Sequence, residues 1–291
     1  MLEIWANAVD ELAADLLAAC AEPDLWLCAS ETYASDRRAL EIEAPGWANE
    51  GIFERLVFDS TKFVSLTLRH GCALAALVRC GEVFVSPFTI LRAQLEACGR
   101  LGWILEPHDG GVGIGPRRRA ARYFMEMLSS VCYQRDALKA LGSPHAAAAK
   151  ELRAHTICEI ERLFGVTLSW SGTGSELEWQ IGGDRFVSLA GSTKRFATHM
   201  VPDLAAIYAT LSGYSHPSLR FVAELLVEEA LSDGQRTVTW RTDPEMVHWQ
   251  CRVSSVLMYR ATTLVFSYLG GPQHRLEAAM DKCEAIVGTT P

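Results

Sequence analysis

The chain has 291 residues, 49% hydrophobic and 21% charged, an ordinary globular composition with ample length to bury a core. Its formal net charge of −8 argues against a general binder of nucleic acid or of anionic membranes. No apolar run approaches the roughly 20 residues that span a bilayer, and the opening MLEIWANAVDELAADLL is acidic and periodic, without the basic start of a signal peptide. Nine cysteines are scattered amid mostly apolar neighbours, with no CxxC pair. They read as reduced core cysteines of a cytoplasmic protein, not as a disulfide framework or a zinc site.

Taken in order, Ile4 to Cys20 reads as an amphipathic helix, with Ile4, Ala8, Leu12, Leu16 and Ala19 on one side. Asp24–Gly46 is less regular, with a short helix or extended piece near Ala39–Glu43. Ile52 to Arg79 reads as a long helix ended by Cys80-Gly81. Ser86–Pro107 is the helix around which the chain is organised. Ser86 and Pro87 suit its start and Glu106-Pro107 its end. Its apolar residues cover nearly every face, which marks a core helix.

After Pro107, Gly110, Gly111, Gly113 and Gly115 predict a mobile linker, and Pro116 opens a helix bearing Arg117, Arg118, Arg119 and Arg122 as a solvated basic turn. The loop follows a helix and lacks the GK[ST] ending of a phosphate-binding loop, so an anion site at 110–115 with Arg117–Arg119 is the lesser reading. Arg117–Leu141 and His145–Phe164 form a helical hairpin broken at Gly142-Ser143-Pro144. The period then changes to alternation, and residues 166–189 read as a small antiparallel β meander with a turn at Gly182-Gly183-Asp184. Further helices follow at Thr193–Met200, from Asp203 to Gly213, and over Ser218–Leu231. Thr237–Trp240 suits a short strand. Asp243-Pro244 opens a long helix to Tyr268, and His274–Val287 is the last. The fold class is mainly α, a multi-helix single domain over 1–291 with a small inserted β meander.

The chemistry-bearing residues lie on two helices. Arg92, Glu96 and Arg100 recur every fourth residue in one stripe of the core helix. Buried charges must be paired, so the stripe is either an internal ion ladder or the wall of a polar cleft. Tyr208, Ser212 and His216 repeat the same spacing. His216, beside Pro217 at a helix junction, either hydrogen-bonds a carboxylate such as Glu96 or serves as a general base. There is no GxSxG, HExxH or calcium-loop motif, and the eight histidines lack zinc spacing. The reading therefore contains no metal and no cofactor.

Three features together resemble a group of helical proteins of actinomycete-type bacteria with no established activity. They are Arg92-x3-Glu96 ending in Gly102-Trp103, the segment FGVTLSW…WQIGGDRFVS at 164–188, and Tyr208-x2-Leu-Ser-x3-His-Pro217. The resemblance spans roughly residues 86–270 and implies a fold and no reaction. It also suggests that the two stripes belong to one site. Such proteins loosely resemble HEPN helical bundles, some of which are ribonucleases with an Arg-x4–6-His motif; Arg241 and His248 have that spacing here, interrupted by Asp243-Pro244.

Two functional expectations follow. The first is a non-catalytic protein that binds a small ligand or a protein partner in a polar cleft lined by Arg92, Glu96, Arg100, Tyr208, Ser212 and His216. The second is an enzyme, either a HEPN-like ribonuclease or a hydrolase with His216 as base. Exposed helical faces near the N-terminus could support a homodimer. Nucleic acid and membrane are not expected partners.

Overall fold

The computed structural model describes residues 2–21, 30–43, 47, 51–83, 85–106, 108–109, 112–168, 180–204, 206–215, 226–230, 236–240, 243–271 and 273–288. The protein is mainly α, with short antiparallel β hairpins. Its contacts gather into two compact units. Unit 1 comprises Met1–Ser30, Ser60–Gly102 and Leu189–Pro291; unit 2 comprises Glu31–Asp59 and Trp103–Ser188. The divisions at 59/60 and 102/103 fall within helical sequence, so no Pro- or Gly-rich linker marks them.

In unit 1, helix α1 (Leu2–Cys20) packs against the long helix α9 (Pro244–Leu269) and α10 (Gln273–Gly288). It buries Trp5, Val9, Leu12, Leu16 and Ala19, and it leaves Ile4 69% exposed. The expected stripe is thus out of phase at its start. The large Trp5 indole, not Ile4, takes the inward position and stacks on His248 with ring centroids 4.6 Å apart. Helix α9 starts where a cap and a proline coincide. The Asp243 carboxylate accepts from the Glu245 amide at 2.9 Å, Pro244 fills the first turn, and Gly270 ends the helix at φ +81°.

Unit 1 also contains the C-terminal part of α3 (Ile52–Arg79) and most of α4 (Ser86–Leu105). Leu91, Leu95, Cys98 and Leu101 of α4 are fully buried, each such leucine stabilising by roughly 1.5–3 kcal/mol. Gly99 and Gly102 let α4 approach α7 (Leu189–Met200): a Cβ at Gly99 would lie 2.7 Å from the Thr193 Cα. A 3-10 turn, Pro202–Leu204, leads to α8 (Ile207–Ser215).

In unit 2, α2 (Glu31–Glu43) packs on α5 (Pro116–Ala140), which forms the expected hairpin with α6 (Ala146–Phe164). Gly165 closes α6 in the left-handed region, φ +64°. Phe164 meets Trp47 and Phe124 edge-on, at 4.9 and 6.0 Å between centroids.

The β structure differs from the expected meander. Among the described residues of 166–189, strands β3 (Gln180–Ile181) and β4 (Asp184–Arg185) form one two-residue hairpin. Gly182 and Gly183 turn it, both with positive φ. Residues 166–168 and 186–188 are not strand, and Leu189 already opens α7. Phe186 packs edge-on against Trp103, centroids 5.8 Å apart, instead of extending the ladder. Residues 169–179 lie outside the described ones. A second hairpin, β1 (His108–Asp109) with β2 (Val112–Gly113), brackets Gly110 and Gly111, which are outside the described residues. The helix expected over Ser218–Leu231 is corrected as well. Its described part, Leu226–Ala230, is strand β5, paired with β6 (Arg236–Trp240). Five pairings to the following strand outweigh the modest helix preference of Glu228, Glu229 and Ala230.

Candidate functional site

Helix α4 buries Phe88, Leu91 and Leu95 and turns Arg92 and Glu96 to another face, where each side chain keeps about a fifth of its exposure (23% and 21%). The Arg92 Nε donates to Glu96 Oε1 at 2.9 Å. One helix of the same unit, α8, supplies the ring of Tyr208, with the Arg92 guanidinium carbon 5.8 Å from its centroid. Partial burial works to lower the Arg92 pKa. The hydrogen bond to Glu96, that carboxylate's charge and the Tyr208 oxygen outweigh it, so the guanidinium is held above its ordinary range.

The structure therefore brings Arg92, Glu96 and Tyr208 together. Arg100 is different: only 5% exposed, it is buried and engaged in contacts of its own. Ser212, one turn beyond Tyr208, is half-buried. His216 and Pro217 lie outside the described residues. Sequence reasoning missed Tyr214, whose ring stacks on Phe88 at 4.1 Å and 11° and fastens α8 to the start of α4. The only signal for it was a second aromatic on a short helix. The arrangement offers a guanidinium donor, a carboxylate acceptor and a phenol. It presents no described nucleophile paired with a base.

The basic turn of α5 is paired rather than freely solvated: Arg119 and Arg122 are buried, and Arg118 keeps 29% of its side-chain exposure. Arg118 is bidentate to Asp184, at 2.6 Å from Nη2 and 3.1 Å from Nε. Arg122, 1% exposed, donates from Nε to the same carboxylate at 2.9 Å and from Nη1 to the Trp103 carbonyl at 2.8 Å. Arg119 donates to Asp36 at 2.7 Å and to the Glu106 carbonyl at 3.1 Å. Arg117 lies over the Trp47 and Phe164 rings. Desolvated arginines require such partners, and the β3–β4 turn exists in the register that delivers Asp184 to them. These residues are internal structure.

His248 is likewise committed. It is 4% exposed, stacked on Trp5, and its Nε2 lies 3.0 Å from the Ile286 carbonyl oxygen. Arg241 lies outside the described residues. Among the described residues no group of three His, Cys, Asp or Glu side chains is placed to hold a metal ion, and no helix is long and apolar enough to cross a membrane. The eight described cysteines are unpaired, and burial pushes the thiols of Cys20, Cys98 and Cys251 up to about 12.

No family model, no curated protein and no solved structure matches this chain.

Proposed function

We propose that the protein is a non-catalytic binder of a small polar ligand, held at the α4–α8 face of unit 1 by Arg92, Glu96 and Tyr208. The observation that carries this reading is the half-buried ion pair on an otherwise core helix. An i,i+4 pair of this kind contributes only about 0.3–0.5 kcal/mol to stability, so the fold does not need it there. A guanidinium and a carboxylate beside a phenol do suit a ligand with both donors and acceptors. The reading includes a reducing, cytoplasmic setting, which the unpaired described cysteines fit. Self-association is part of the same proposal: in unit 1 a groove of about 270 Å³ between α1 and α10 is lined by Ile4, Trp5 and Ile286.

The ribonuclease reading gains no support from His248. A role in cleavage would require that imidazole to leave its stack on Trp5.

Native mass spectrometry on protein purified without added ligand tests the binding reading. A small molecule retained by the unaltered protein and released by Glu96→Ala supports it. A molecule retained equally by both proteins places the ligand elsewhere.

A further inference from the structure

Unit 1 contains a second set of polar groups, separate from the Arg92–Glu96 face and fully enclosed. Gln94, Gln250 and Ser254 are each 0% exposed. Among the described residues, neither end of the Gln250 amide has a protein hydrogen-bond partner; nor does Gln94 Oε1, nor Ser254 Oγ. Ser254 contrasts with its helix neighbours. The hydroxyls of Ser255 and Thr262 donate one turn back, to the Cys251 and Met258 carbonyls at 2.9 and 3.0 Å.

Helix register brings these groups to one level. Gln250 and Ser254 are one turn apart on the same face of α9. On α4, the Cys98 thiol donates to the Leu257 carbonyl at 3.5 Å, and the Phe88 ring lies 6.5 Å from that of Trp249. The two helices thus run the same way, and Gln94, between Phe88 and Cys98, is level with Ser254. The Gln94 Nε2 is already fixed, donating to the Thr67 carbonyl of α3 at 2.9 Å. That bond directs its Oε1 away from Thr67. No charged side chain takes part in these contacts.

The large majority of buried side-chain amides and hydroxyls in folded proteins have a hydrogen-bond partner, protein or water. The occupant that satisfies these must both donate and accept, be uncharged, and be small enough for a close-packed helix interface. We propose that unit 1 holds an internal water site between α4 and α9, in which bound water bridges Gln94 Oε1, the Gln250 amide and Ser254 Oγ. The site ties α4 to α9 by polar bonds on a face of α4 different from the one that bears Arg92 and Glu96, and so holds that pair in place.

The test is water–protein cross-relaxation on the full chain labelled with ¹⁵N. The Gln250 side-chain amide signals are assigned by their loss in Gln250→Met. Expected in the unaltered protein are cross-peaks from these amide protons to water with the sign of a slowly exchanging bound molecule. Absent cross-peaks would overturn the assignment. Should Gln250→Met fail to fold, a high-resolution crystal structure of the unaltered protein decides the same point. Density for water within hydrogen-bond distance of Gln250 and Ser254 supports the site; a Gln250 bonded to protein groups, or to a larger molecule, refutes it.

Discussion

Arg122 of unit 2 and Arg92 of unit 1 make the same bond, a guanidinium Nε donating to a carboxylate at 2.9 Å, in different surroundings. Arg122 is 1% exposed, and its carboxylate, Asp184, comes from a hairpin 62 residues away in sequence. Arg92 is 23% exposed and draws Glu96 from its own helix, one turn on. The first pair joins elements that sequence does not join, and desolvation makes each member depend on the other. The second pair is made within α4, with Arg92 also over the Tyr208 ring of α8, and solvent partly screens it. Burial and sequence separation, more than the bond length, decide how much each pair contributes to the fold.

Breaking the buried set should cost most. Asp184→Ala leaves Arg118 and Arg122 without their shared carboxylate, and the expected loss is about 3–5 kcal/mol in urea denaturation. A loss under about 1 kcal/mol would show that Arg122 reaches solvent. Asp36→Ala should cost less, about 2–3 kcal/mol, because it leaves one arginine, Arg119, without its carboxylate instead of two. Gly99→Ala sharpens the comparison within unit 1. The new methyl meets the Thr193 backbone, which cannot yield as a flexible side chain would. A clash with backbone falls in the upper part of the overpacking range, about 2–3 kcal/mol, and less the helix gain of alanine, about 1 kcal/mol, the net cost is about 1–2 kcal/mol. A variant as stable as the parent would mean that α4 and α7 are farther apart than the structure has them.

Much of the helical frame was legible because its signals are local. Asp243-Pro244 opens α9, Gly142-Ser143-Pro144 breaks the α5–α6 hairpin, and i,i+4 spacing identified Arg92 with Glu96. What escaped depends on distant partners. Nothing near Arg118 and Arg122 points to Asp184, so a run of arginines beside glycines looks like a solvated turn. Residues 226–230 read as helix until β6 is there to pair with them. The start of α1 was misphased for a related reason: Trp5 turns inward because His248, far along the chain, offers its ring a stacking partner. Of the site, the α4 stripe and Tyr208 could be read from spacing, whereas the burial that separates Arg100 from its two neighbours could not.

The most direct test of the contrast is the urea unfolding free energy of Glu96→Ala, measured beside that of Asp184→Ala. An Arg92–Glu96 pair not needed by the fold predicts a loss of no more than about 0.5 kcal/mol for Glu96→Ala, several-fold below that of Asp184→Ala. Comparable losses in the two variants would contradict the account, because Glu96 would then be holding the core of α4 as Asp184 holds α5.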